Sequence, residues 1–252
     1  MSSPLDRFLN EADAPDRTLA VVDRGQPDPV YDLFVETFGD LEIDLRRTDG
    51  WGDGESTVVL LEDGEIVAAS PMDALRDAVL LVNSDLYTTG TSGVDKYEAP
   101  SVLRALDDAV YTFRGFPASA KEKLILIVMS RYIERHVLEV GEGRLDVAFQ
   151  KLSRMDDEYG TKRIYERLSD VGVDLHVYGV PDVSPPDRDG MAVHTGRTER
   201  YRRTWFVVYD PPAGAEPVAL VSVETERNTW RGMWTYNDER VGAIRDRVTE
   251  AF

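Results

Sequence analysis

The residues with the widest range of possible chemistry in this chain are its three histidines, because imidazole serves as a general base, a nucleophile and a metal ligand. His136 lies in a long helical pattern, and His176 alternates with apolar residues along a predicted strand. No cluster of carboxylate and histidine at the spacing of a metal site accompanies His136, and the third histidine is His194. The sequence therefore predicts no catalytic residue and no metal site, and the histidines are interpreted as structural.

Sequence motifs of other reaction centres are also missing. The chain contains no cysteine, which excludes thiolate catalysis, disulfides and cysteine-based metal sites. The glycines of 49–54 and 88–93 lack the spacing and the lysine of a phosphate-binding loop. A phospholipase-D-like site requires lysine two residues after its histidine, where His176-Val-Tyr178 has tyrosine. An unrecognised or degenerate hydrolase of phosphodiesters or nucleotides is kept as the alternative function.

Five side chains are predicted to form a site that binds a small polar ligand. Ligands of α/β proteins collect beyond the carboxyl ends of parallel strands, and three of the five follow two such predicted strands. The other two come from the adjacent antiparallel pair, where a buried carboxylate would need a partner that Arg231 or Gln150 could supply. In the alternative interpretation, Trp234 belongs to the core, Glu224 pairs with a nearby arginine and Gln150 caps a loop. The five residues are Gln150, Tyr178, Asp182, Glu224 and Trp234.

The elements that must position these residues occur in the same order in both halves of the chain. Each half reads as a strand, a helix, a second strand, an antiparallel pair and a closing helix. Leu19 to Asp23 corresponds to Leu145 to Phe149, and the hairpin of 57–69 corresponds to that of 205–224. The pattern predicts an internal duplication with an α/β fold of mixed sheets, in which two β-α-β-hairpin-helix half-repeats surround a long central helix.

The central helix is predicted over Ala118 to Val140, which is too apolar for a single solvent-facing stripe. The predicted division of the chain is therefore 1–117, an N-terminal α/β half, and 118–252, the central helix with the second half. The first half includes a predicted helix from Val30 to Gly39, and the second half closes with a helix that Thr235 is expected to cap.

The charge composition indicates the setting in which the protein works. The formal net charge is -18, and the chain has 28 aspartates but five lysines. Such a surface is tolerated where concentrated salt screens its self-repulsion, which predicts a haloarchaeal, cytoplasmic protein. The same charge argues against nucleic-acid or anionic-membrane partners. No apolar run reaches the length of a membrane span, and Met1 to Thr18 lacks the apolar core of a secretion signal.

Six segments between Lys121 and Val248 make the chain resemble the DICT sensory domain family, in the stand-alone haloarchaeal form. These are Ala148-Phe-Gln150, Tyr165-Glu-Arg-Leu168, Val177-Tyr-Gly-Val-Pro-Asp182, Trp205-Phe-Val-Val208, Leu220-Val-Ser-Val-Glu224 and Gly232-Met-Trp-Thr-Tyr236. The resemblance implies a sensory role but supplies neither a known ligand nor catalytic residues. No output domain is recognised in the sequence, so any signal is expected to pass to a separate partner.

The favoured hypothesis is a signal-input module that binds a small ligand or a signalling protein and changes shape or association. A hydrolase and a purely structural interaction protein are the two alternatives. The sequence identifies no cofactor, no oligomeric state and no particular ligand.

Overall fold

A computed structural model describes residues 3–11, 16–23, 44–49, 56–78, 98–114, 121–157, 159–184 and 190–252. Within these residues the fold is a mixed α/β fold with two sheets, which agrees with the predicted class. In chain order the helices are α1 (Asp6–Glu11), α2 (72–78), α3 (Ser101–Arg104), α4 (Lys121–Val140), α5 (Arg154–Asp157), α6 (Tyr159–Asp170), α7 (Glu199–Arg203) and α8 (Asp238–Ala251). The strands are β1 (Arg17–Asp23), β2 (Asp44–Asp49), β3 (Thr57–Glu62), β4 (Glu65–Pro71), β5 (Tyr111–Arg114), β6 (Glu142–Lys151), β7 (Gly172–Val180), β8 (Met191–Thr195), β9 (Thr204–Asp210), β10 (Val218–Glu226) and β11 (Thr229–Thr235).

The smaller sheet has the strand order β2-β1-β3-β4, with β1 parallel to β2 and antiparallel to β3. The larger sheet has the order β5-β11-β10-β9-β6-β7-β8. Its segment β7-β6-β9-β10 repeats the directions of the small sheet, because β6 is parallel to β7 and antiparallel to β9. The shared strand order agrees with an internal duplication, which stays a prediction, and the helix predicted at 30–39 lies outside the described residues.

The seven-stranded sheet is buried on both faces, which explains the continuous apolar runs of its central strands. In β10, alternate residues Val218 and Leu220 face the cluster around α4 and α6, whereas Ala219 and Val221 face α1, α7 and α8. A strand enclosed in this way cannot show the alternation of a half-buried strand. The long helix therefore lies on one face of this sheet and the C-terminal helix on the other.

The predicted domain boundary at residue 117 runs through this larger sheet. Strand β5 precedes the boundary yet pairs with β11, and α1 packs on the face that also holds α8. Core residues of the small sheet, Leu19 and Leu60, belong to the same buried cluster as Val128 of α4. The division into two domains stays a prediction, with these contacts crossing it.

One capping residue differs from the sequence-based expectation. The cap of α8 is Asn237, whose side chain accepts a hydrogen bond from the backbone N–H of Arg240 at 3.0 Å. Thr235 instead accepts from the backbone N–H of Asn237 at 3.1 Å, so it stabilises the turn that leads into the helix. Asparagine and threonine both suit a cap, and the geometry of the preceding strand end decides between them.

None of the described helices is both long enough and apolar enough to cross a lipid bilayer.

Candidate functional site

The carboxyl end of β6 is irregular, and this irregularity places the amide of Gln150. The pairing of β6 with β7 shifts register between Ala148 and Lys151, and Gln150 has a left-handed backbone with φ of 62°. A non-glycine residue in this conformation costs about 1 kcal/mol or more and persists where its surroundings hold it. The Gln150 side chain is 5% exposed and accepts a hydrogen bond at Oε1 from the guanidinium of Arg154 on α5.

Two helices enclose the space next to Gln150 with a buried polar network. On α4, Arg131 and Glu134 form an ion pair of 2.6 Å with side chains that are 7% and 3% exposed. From α6, Thr161 accepts from Arg131 at 2.7 Å, and the Tyr165 hydroxyl donates to Glu134 Oε1 at 2.8 Å. Both charges are therefore compensated although they lie almost entirely out of water.

Burial and the adjacent Glu134 carboxylate raise the pKa of Tyr165 well above its ordinary value. Its hydroxyl consequently stays protonated and acts as a donor to Glu134 at any physiological pH. The ring of Tyr165 also meets that of Phe149 edge-on, with centroids 4.9 Å apart. These contacts tie α6 to α4 and to the end of β6, so the three elements hold one shared site.

Between these elements lies a cavity of about 100 Å³, which we call the α4–α6 pocket. Its polar lining includes Ser130 and Gln150, each 5% exposed, and its apolar lining includes Ile127, Trp205 and Val207. Ser130 Oγ and Gln150 Nε2 have no hydrogen-bond partner among the described residues. Since Arg154 fixes the orientation of the amide by donating to its oxygen, the Gln150 NH₂ group is the end left without a partner. Buried polar atoms of this kind call for a water or a ligand.

The structure does not bring the five predicted site residues together. Gln150 lines the α4–α6 pocket, whereas Glu224 borders a different cleft of about 1040 Å³ beside α1, α7 and α8. Glu224 Oε1 accepts from the backbone N–H of Asn228 at 2.9 Å in the β10–β11 turn, and Arg231 instead binds α1. The predicted convergence and the predicted Arg231 partner are therefore corrected, because the turn directs the carboxylate back over its own hairpin.

Trp234 is fully buried and belongs to the core. Its ring packs on Tyr111 with centroids 5.6 Å apart, and its indole N–H donates to the carbonyl of Arg104 at 3.4 Å. Asp182 is exposed and accepts from the backbone and the hydroxyl of Ser153. What burial it has raises its pKa, but the two hydrogen bonds outweigh this and hold the pKa of Asp182 below its ordinary value. Neither residue lines the α4–α6 pocket.

Tyr178 belongs to a second polar cluster, on the opposite face of the sheet. Its hydroxyl donates to Asp146 Oδ1 at 2.7 Å, and Arg144 also binds this carboxylate through two hydrogen bonds of 2.8 Å. Next to it, His176 Nδ1 lies 2.8 Å from His194 Nε2 on the neighbouring parallel strand. Among the described residues, no group of three or more His, Asp or Glu side chains is arranged to hold a metal ion.

The helical residues of the α4–α6 pocket were not identified as candidates from the sequence. A signal was present, since Ser130-Arg131 and Glu134 are polar residues in the middle of the most apolar helical pattern of the chain. Charged residues are almost never buried without a partner, so their placement there indicated a buried pair. The partner helix and the cavity, in contrast, depend on packing between distant segments.

Comparisons with known proteins identify one family and one solved structure. Residues 100–223 match the family model of DICT, described as the sensory domain in diguanylate cyclases and two-component systems. The match confirms the predicted family and leaves the Gly232–Tyr236 segment outside its range. No curated protein matches the chain.

A crystal structure of polyphosphate kinase from Porphyromonas gingivalis is similar at 15% identity and a TM-score of 0.37 over 61% of this chain. The chain spans about a quarter of that enzyme's length (25%). A TM-score of this size does not establish a shared fold.

Proposed function

Because residues 100–223 belong to the DICT family of sensory domains, we propose that this protein is a signal-input module that binds a small polar ligand in the α4–α6 pocket. The observation that carries the proposal is the pair of buried atoms, Ser130 Oγ and Gln150 Nε2, without partners among the described residues beside the α4–α6 pocket. Burying a polar group without a hydrogen bond costs about 1–3 kcal/mol. A bound molecule that supplies both bonds recovers this cost and so stabilises the protein.

The surroundings of the pocket support a role in signalling in addition to binding. Five elements contribute to its lining, namely α4, the irregular end of β6, α5, α6 and β9. A ligand bonded to Ser130 on α4 and to Gln150 on β6 therefore links the middle of α4 to the carboxyl end of β6. In our proposal, occupancy changes the position of α6 and α5 relative to α4, and a separate signalling protein reads this change.

The composition supports a location in a salt-rich cytoplasm. At molar salt the Debye length is about 3 Å, which screens the mutual repulsion of the surface carboxylates. A net charge of -18 is then compatible with a compact fold and with binding of a polar ligand.

The direct test is to purify the protein in molar KCl, denature it, and identify by mass spectrometry the small molecules that it releases. Ser130→Ala removes one unpartnered hydroxyl from the pocket. Ser222→Ala is the matched control, since Ser222 is also fully buried but donates to the carbonyl of Arg231 outside the pocket. We expect a compound that is released stoichiometrically from the wild type and from Ser222→Ala, and that is depleted in Ser130→Ala.

Equal amounts of the same compound from all three proteins would contradict binding in the α4–α6 pocket. No released compound, together with a stable protein partner, would favour the structural interaction protein. Turnover of a phosphodiester by the purified protein at high salt would favour the hydrolase instead.

A further inference from the structure

The groups that line the α4–α6 pocket determine which class of ligand it accepts, and this inference rests on the proposed function. The two N–H bonds of the Gln150 amide and the Ser130 hydroxyl are available as donors. Glu134 is the one acidic residue among the described lining, and both of its oxygens are occupied, by Arg131 and by Tyr165. The pocket therefore offers donors to a ligand and holds no free carboxylate, among its described lining, for a cation.

The positive charges beside the pocket also favour a ligand that accepts hydrogen bonds. Arg131 is neutralised by Glu134, whereas Arg154 brings a second guanidinium to the lining through its hydrogen bond with Gln150. A hydrogen bond that donates to an ionised acceptor contributes about twice as much as one between neutral groups. A ligand with anionic oxygens therefore uses these donors better than an alcohol or an amide does.

The volume of the pocket indicates the size of the group that fits between α4 and α6. In a well-studied engineered cavity of another protein, about 150 Å³ accommodates benzene, which has six carbon atoms. In proportion, the 100 Å³ here holds about four non-hydrogen atoms. The apolar side chains of Ile127 and Val207 occupy another part of the lining, where a methyl group finds van der Waals contacts.

From these three observations we propose that the α4–α6 pocket binds a short-chain carboxylate, of which acetate is the simplest member that fills it. The carboxylate oxygens accept from Gln150 Nε2 and Ser130 Oγ, and the methyl group faces Ile127 and Val207. The net charge of -18 opposes the approach of an anion in dilute buffer. At molar salt this repulsion is screened beyond about 3 Å, so recognition depends on the local donors.

The experiment measures thermal unfolding at a fixed, molar potassium concentration while chloride is replaced stepwise by acetate. A ligand that binds only the folded state raises the melting temperature along a saturable curve. We expect saturation for the wild type and for the Ser222→Ala control. Ser130→Ala should bind acetate about tenfold more weakly, because it lacks one hydrogen bond to a charged acceptor.

Gln150→Glu is the second variant, since it keeps the shape of the side chain but replaces the donor by a carboxylate that repels acetate. We expect it to abolish saturation while it unfolds cooperatively in chloride. A linear rise that is equal in all four proteins is a general effect of the salt on folding, and this result would overturn the proposal.

Acetamide separates this inference from the function on which it rests, because it has the shape of acetate without the charge. Saturable stabilisation by acetamide and not by acetate, sensitive to Ser130→Ala, would overturn the carboxylate but leave a ligand-binding pocket. If neither compound binds and the released small molecules do not depend on Ser130, both proposals fail.

Discussion

Removal of the Glu134 carboxylate should destabilise the protein far more than removal of a glutamate five residues further along the same helix. Glu134 pairs with Arg131 at 2.6 Å, and Glu139 pairs with Arg135 at 2.7 Å, so the two contacts have nearly the same length. Their burial differs, since the exposed fractions are 7% and 3% for the first pair and 23% and 58% for the second. The two ion pairs are therefore similar in length and differ mainly in burial.

The expected magnitudes follow from this difference in burial. Glu134→Ala leaves the Arg131 charge without its partner in a site that water hardly reaches, and such a loss costs about 3–5 kcal/mol. It also removes the acceptor of the Tyr165 hydroxyl. For Glu139→Ala the expected cost is below about 0.5 kcal/mol, because solvent and salt screen an exposed pair between residues i and i+4.

The measurement is urea-induced unfolding at constant molar KCl, followed by far-ultraviolet circular dichroism. With a urea dependence of at most about 3 kcal/mol per molar, Glu134→Ala should lower the midpoint by about 1 M or more. Glu134→Gln, which keeps the volume and an acceptor for Tyr165, should fall between the two alanine variants. If Glu134→Ala costs no more than Glu139→Ala, the buried pair does not stabilise the α4–α6 contact and the reasoning is refuted.

Three further predictions concern other parts of the molecule. The melting temperature should rise from dilute buffer to molar KCl, because salt screens the net charge of -18, and a flat or falling curve would contradict a halophilic protein. Burial and the neighbouring His176 lower the pKa of His194 below its ordinary value of 6.5, so on acidification the unfolded chain takes up this proton first. The contribution of neutral His194 to the free energy of unfolding is complete above pH 6.5 and is lost as the pH falls through the lower pKa of the folded state. Between pH 8 and pH 5, His194→Asn should therefore lose less stability than the wild type. Gly143→Ala should cost over about 1 kcal/mol more than Gly214→Ala in urea unfolding. Both glycines have φ near 100°, but a Cβ at Gly143 would lie 2.6 Å from the carbonyl oxygen of Asp210 and at Gly214 would meet nothing within 4 Å; equal costs would contradict the clash.

The sequence alone determined the class of the fold and the family. Apolar runs such as Phe206–Val208 and Val218–Val221 are typical of strands covered on both faces, and the structure buries them in that way. The resemblance to DICT depended on short segments in a fixed order, each of which lies within or at the end of a single helix or strand. Features of this kind are local, so they can be read without knowledge of the contacts.

The tertiary structure decided which polar residues meet. Regular alternation after Val147 and Phe149 would direct Gln150 to the opposite face of β6, and the register shift with its positive φ places it in the α4–α6 pocket instead. In the same way the turn after β10 holds the Glu224 side chain against the backbone of Asn228. Periodicity determines the face of a side chain only while the strand is regular, and both residues lie where regularity ends.

The composition of the pocket also depended on contacts between segments far apart in the chain. Arg131 and Glu134 are recognisable in the sequence as charges in an apolar helix, but their neighbours Thr161 and Tyr165 follow about 30 residues later. The spacing within each helix sets which side chains share a face, and it carries no information about which face of another helix lies opposite. That choice depends on the total burial of both helices against the sheet, which is a property of the folded chain as a whole.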